Sequence, residues 1–97
     1  MERMIIEAIE NNKLIEFEYK GEFRIVEPYT FGISKTNKDV LSAYQVEGNS
    51  NSSNDLGWRL FSIDKIENIE LLVETFEPLR AGYNPNDSRM IEIYITA

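Results

Sequence analysis

GWRLFSIDKIENIELL, residues 57–72, consists of two short strands hinged at one turn. Trp58 to Ser62 carries Arg59 between aromatic neighbours, Trp58 and Phe61. Ile63-Asp64-Lys65 is too short for more than a single helical turn, and Ile66, Ile69, Leu71 and Val73 then resume an apolar rhythm as a second strand. Strands joined by such brief connections suit a small, strongly bent sheet.

The same economy runs upstream. Leu14 to Tyr19 alternates with period two, with Ile15, Phe17 and Tyr19 facing one way and Leu14, Glu16 and Glu18 the other. Lys20-Gly21-Glu22 is a tight turn. Phe23 to Ile33 reads as a long strand in which Phe23, Ile25, Tyr29, Phe31 and Ile33 share a parity, interrupted by Pro28, whose missing donor implies an edge, a bulge or a bend. Val40 to Val46 is a third strand, and GNSNSSNDLG (48–57) is a loop too polar and glycine-rich to pack. Met1, Met4, Ile5, Ala8 and Ile9 have helical spacing ahead of an Asn11-Asn12 stop. One short N-terminal helix followed by five strands predicts a mainly β fold, a small five-stranded half-open barrel. Ile15, Phe17, Ile25, Leu41, Ala43, Ile69 and Leu71 are its expected interior. Residues 1–75 form this unit. Residues 76–97 form a C-terminal extension, irregular at Pro78, Gly82 and Asn84-Pro85, whose final strand around Ile91, Ile93 and Ile95 packs on or extends the sheet.

With 97 residues, the chain has room for one core and one domain. It contains no cysteine, which excludes disulfides and thiolate metal sites, and no histidine, so Ser-His and Cys-His nucleophile pairs cannot be built. The glycines are isolated turn residues and make no phosphate loop. These absences argue against an enzyme, and no cofactor is implied. No apolar run approaches the ~20 residues of a membrane span, and the start MERMIIEAIE lacks a signal-peptide pattern, so a cytoplasmic protein with no membrane partner is expected. The net charge of −7 has the wrong sign for coating nucleic acid by bulk electrostatics, so any bound anion requires a local cluster of cations.

Three segments occur in an order that resembles the WYL domain family. Arg24-Ile25-Val26-Glu27-Pro28-Tyr29 is similar to the family's R-x-V-x-P. Val40-Leu41-Ser42-Ala43-Tyr44 stands where the name-giving Trp-Tyr-Leu is followed by a small residue and an aromatic. Arg59-Leu60-Phe61-Ser62-Ile63-Asp64-Lys65-Ile66 resembles R-x-F-x-L-D-R-I. The match spans residues 1–73. The resemblance implies an SH3/Sm-like barrel behind a helix, and a regulatory role beside a DNA-binding domain in bacterial transcription control or phage defence. The chain has no room for a helix-turn-helix, so that DNA-binding domain is expected to be missing or supplied by another protein. Two departures stand out: Asp39 and Val40 replace the family's Trp and Tyr.

The residues carried over as ligand contacts are Arg24, Arg59 and Lys65, with Tyr44 and Phe61 as rings for stacking. Planar guanidinium groups grip phosphate in bidentate fashion, and rings stack bases, so single-stranded nucleic acid or a nucleotide is the implied ligand. The alternative for the arginines is structural ion pairing, Arg24 with Glu27 or Asp64, with Phe61 as plain core. The alternative for the whole chain is an assembly protein, with the apolar strand around Ile91, Ile93 and Ile95 pairing two copies into a homodimer.

Overall fold

The computed structural model describes residues 1–48 and 56–97, so residues 49–55 of the expected loop lie outside the described residues. The fold is mainly β. Helix α1 (Glu2–Glu10) precedes β1 (Lys13–Tyr19), β2 (Glu22–Ser34), β3 (Asp39–Gly48) and β4 (Gly57–Ser62); a 3-10 turn (Ile63–Lys65) then leads to β5 (Ile66–Thr75), and β6 (Met90–Thr96) ends the chain. All ladders are antiparallel, and the sheet runs β4-β3-β2-β1-β5 with β6 added on β2. β4 and β5 are the two ends of this path, and no ladder joins them among the described residues. The sheet is bent but not closed.

The helix buries Ile5, Ala8 and Ile9 against Ile15, Phe17, Val26, Phe31, Leu41, Ala43 and Phe61. It ends where the sequence places its stop. The Asn11 N–H donates to Glu7 O at 3.0 Å, and Asn12 takes a positive φ of 52°, a conformation asparagine tolerates better than most residues. Phe17, Tyr19 and Phe61 meet edge to face at centroid distances of 5.0–6.4 Å, which ties β1 to β4 through the core. The Tyr19 hydroxyl accepts the Ser62 N–H at 3.1 Å and so fixes the entrance to the 3-10 turn.

β2 departs from the simple alternation expected of it. Pro28 pairs with Ala43 and Thr30 with Ser42, so Tyr29 is an extra residue in the strand. This bulge reverses the inward set: Arg24 and Val26 face the core before it, and Phe31 faces the core after it. Phe23 is therefore 60% exposed and Ile25 only half-buried, whereas both were expected to share the parity of Phe31. Of the other expected core residues, Ile15, Phe17, Leu41 and Ala43 are buried, and Ile69 and Leu71 pack against the core half-buried. Pro28 falls between Val26, the last partner of β1, and Thr30, the first partner of β6. A missing donor is tolerated in such an interrupted stretch.

β6 approaches β2 closely at Gly32. A Cβ there would overlap the Glu92 carbonyl and come within 2.9 Å of Met90 Sδ. Gly32→Ala is expected to lower stability by about 1–3 kcal/mol in urea denaturation and to reduce hydrogen-exchange protection across residues 90–96. Gly21→Ala meets no atom but keeps a φ of 79°, so it should lower stability by roughly 1–2 kcal/mol without affecting β6. Unchanged protection of β6 in Gly32→Ala would contradict its packing on β2.

Candidate ligand-binding site

The five residues expected to bind ligand do not converge on one surface. Arg24 is only 2% exposed, its Nη2 donating to the Tyr19 carbonyl at 3.2 Å and its Nη1 to Gln45 Oε1 at 3.5 Å. Its guanidinium also lies 5.3 Å from the Tyr19 ring and 5.9 Å from the Phe61 ring. Phe61 is core, in line with the structural alternative. Arg59 pairs across the ladder with Ala43, and Phe61 with Leu41, so half-buried Arg59 shares the concave face with Arg24 and Phe61. Tyr44 pairs with Trp58 on the opposite face. Lys65 is exposed on the 3-10 turn. Of the two carboxylates weighed as alternatives for Arg24, Glu27 leaves the opposite face of β2 and is held by Arg80.

The opposite, outer face carries the more developed site. The bulge turns both Tyr29 and Thr30 outward, beside Glu27, Ser42, Tyr44 and Trp58 from the neighbouring positions of β2, β3 and β4. Residues 76–89 cross this face. The Tyr29 ring meets Trp58 at 4.7 Å, Tyr83 at 4.9 Å and Phe76 at 5.3 Å, and Trp58 stands 5.5 Å from Tyr44. Trp58 and Tyr83 are near parallel, 17° apart with centroids separated by 6.5 Å. Two backbone features draw the extension onto the indole: Trp58 Nε1–H donates to the Ala81 carbonyl at 2.7 Å, and a Cβ on Gly82 would come within 2.8 Å of that nitrogen.

A second set of polar contacts fixes the extension. Arg80 grips buried Glu27 with Nε at 2.9 Å and Nη2 at 3.1 Å, and its guanidinium covers the Tyr44 ring at 4.2 Å. The Tyr29 hydroxyl donates to the same carboxylate at 3.2 Å. Burial, and then the adjacent Glu27 charge, push the Tyr29 phenol up to about 12. Further along, Arg89 donates from Nε and Nη2 to Asp87 at 2.9 and 2.6 Å and from Nη2 to Ser42 Oγ at 3.3 Å. Those bonds hold the Asp87 carboxyl below the usual carboxylate range. The Tyr83 hydroxyl bonds to Thr96 and to the Ala97 carbonyl, joining the extension to β6.

Between these fastenings lies a cavity of about 310 Å³, lined by Thr30, Ser42, Trp58, Gly82, Tyr83, Asn84, Asp87 and Arg89. Rings form part of its wall, hydroxyls part of its floor and an ion pair part of its rim. This combination suits noncovalent binding of one ring-sized polar molecule. The extension residues of the site were hidden in the sequence by their irregular setting. The available signal was the occurrence of Phe76, Arg80, Tyr83 and Arg89 in a turn-rich segment, where aromatic and guanidinium groups need a surface to lie on. Among the described residues no cluster of three or more carboxylates could hold a metal ion, and no helix is long and apolar enough to cross a membrane. Comparison with protein-family models, curated proteins and solved structures gives no match to the chain.

The Glu27–Arg80 pair predicts an asymmetric response to mutation. The Arg80 side chain is 42% exposed and that of Glu27 is 8% exposed. Arg80→Ala strands a buried carboxylate and should cost about 1–3 kcal/mol, whereas Glu27→Gln leaves a guanidinium that water reaches and should cost less than about 1 kcal/mol. Chemical denaturation of the two variants checks the order. The raised Tyr29 pKa gives a second expectation. Its contribution to stability is complete below pH 10.0 and is lost as pH rises towards about 12. Tyr29→Phe should flatten that part of the alkaline stability profile.

Proposed function

We propose that the chain is a WYL-like accessory module that binds a nucleotide-sized ligand in the outer-face cavity and regulates a protein partner carrying a DNA-binding domain. In this reading the open sheet is an SH3/Sm-like half-barrel. The path β4-β3-β2-β1-β5 and the single 3-10 turn between β4 and β5 support it, together with the order of the three motif-like segments. The observation that carries the functional part is the approach of Trp58 and Tyr83 to the hydroxyls of Thr30 and Ser42 around one cavity of about 310 Å³, at the lower end of the range used for small ligands. A longer strand of nucleic acid would have to continue beyond it. Arg24 serves the interior, so ligand contact passes from the motif arginine to the rings of the outer face. Transcription control or phage defence remains the setting implied by the family likeness.

A second reading is favoured by one observation. β6 pairs with β2 alone among the described residues, and Ile91 on it is 63% exposed. A second copy pairing along this edge would cover Ile91 and make the chain an assembly module. Light scattering distinguishes the two: a dimer dispersed by Ile91→Lys favours assembly, and a monomer favours the ligand reading.

Trp58 is the only tryptophan in the sequence, so its fluorescence reports on the cavity directly. Titration with mononucleotides is expected to change Trp58 emission and raise the melting temperature. Tyr83→Ala should weaken binding by roughly 1–3 kcal/mol through loss of a stacking face. The absence of both an emission change and a thermal shift at millimolar nucleotide would overturn the ligand reading.

A further inference from the structure

The charge arrangement at the cavity narrows the ligand further, an inference that rests on the cavity being the ligand site. Arg89 supplies its guanidinium, but Asp87 already takes two bonds from it, at 2.9 and 2.6 Å, leaving the pair electrically neutral. The Asp87 side chain is 11% exposed and the Arg89 side chain 52% exposed, so both remain within reach of a small molecule. The surrounding chain carries −7. An ionised phosphate offers mainly acceptors, together with a negative charge. It would gain the remaining guanidinium donors but would face the Asp87 carboxylate at the same rim.

A hydroxyl group has no such conflict, because it donates and accepts. Two adjacent hydroxyls can divide the work at a carboxylate–guanidinium pair: one donates to a free lone pair of Asp87 and the other accepts from Arg89. Ser42 Oγ, already bound by Arg89 Nη2 at 3.3 Å, extends the same polar strip. The indole of Trp58 offers a flat apolar wall for the C–H face or the base of such a molecule. We propose that the cavity recognises a vicinal diol on a small ring, with Asp87 and Arg89 reading the two hydroxyls and Trp58 supporting the ring. The diol has two natural sources, the ribose of a nucleoside and a free sugar.

Trp58 fluorescence and calorimetry on the full chain can separate the possibilities, using adenosine, adenosine monophosphate, 2′,3′-dideoxyadenosine, D-ribose, glucose and inorganic phosphate at low and moderate salt. The expected result is that adenosine and its monophosphate bind within about threefold of each other, with a salt slope well short of the −0.7 per contact of phosphate-driven single-strand binding. Inorganic phosphate does not compete. The dideoxy compound binds at least about tenfold more weakly, the loss expected when hydrogen bonds to charged groups are removed. Binding of ribose or glucose without adenosine identifies a free sugar as the source, and binding of adenosine without either sugar identifies the nucleoside. Asp87→Asn should reproduce the dideoxy loss if its melting temperature is unchanged, and the ligand series stands without it should that variant unfold.

The diol proposal falls, and the cavity reading survives, if the dideoxy compound binds as well as adenosine or if only the phosphorylated compound binds with a steep salt dependence. Both fall if no compound alters Trp58 emission or releases heat.

Discussion

A single inserted residue in β2 organises this protein. With Tyr29 added between Pro28 and Thr30, the strand changes its inward parity, and its outer face gains two consecutive side chains where a regular strand would give one. The same irregular stretch divides the strand's other edge, so that β1 pairs with its first half and β6 with its second. Core, curvature and outer-face site therefore share one origin. Without the bulge, Thr30 or Tyr29 would turn towards the core, and neither the ring cluster nor the Thr30–Thr96 hydroxyl contact at 2.9 Å could form as it does.

The extension completes what the bulge begins. A buried, fully apolar face would have accepted any chain segment of suitable volume, but Glu27 imposes a condition: its carboxylate is tolerable under cover only if a cation comes with the cover. Arg80 meets that condition with two bonds and also lies on the Tyr44 ring. The indole N–H of Trp58 imposes a second condition, met by the Ala81 carbonyl. Adjacent residues of the extension thus satisfy polar demands set by two different strands. This fixes the register of the crossing more tightly than apolar contact alone would, and β6 then follows from the chain length left to run.

Much of the fold was legible because it rests on local rules. The Asn11-Asn12 stop, the glycine turn at Gly21, the Ile63–Lys65 turn and the alternation of Ile15 and Phe17 depend on neighbours in sequence. The parity of β2 was not legible, because alternation cannot show which side of Pro28 holds an extra residue. Ile25, with Phe23 sharing its parity, was placed inward on that account, where Arg24 and Val26 belong. The site was less legible still. An arginine beside aromatics at Trp58–Phe61 suggested a ligand contact, but strand pairing puts Arg59 and Phe61 on the concave face and Trp58 on the outer one. Trp58, the residue of that stretch that lines the cavity, was not among the expected contacts. Its partners in the extension, Ala81 and Tyr83, arrive more than twenty positions later, and no spacing rule joins them to it.

Charge gives the last step. An acidic chain with an arginine inside its core has little excess positive field, and the remaining guanidiniums near the outer face are committed to Glu27 and Asp87. Such a surface discriminates through directional hydrogen bonds and shape more readily than through attraction at a distance. The residues offering those bonds sit on two bodies: Thr30, Ser42 and Trp58 on the sheet, and Tyr83, Asn84, Asp87 and Arg89 on the extension. A molecule seated between them adds contacts that exist only when the extension lies across the sheet. In the proposed ligand reading, binding would therefore favour this placement of residues 76–89 across the sheet. In the proposed regulatory role, such a preference would give a small ligand a physical means of altering what a partner protein meets on this face.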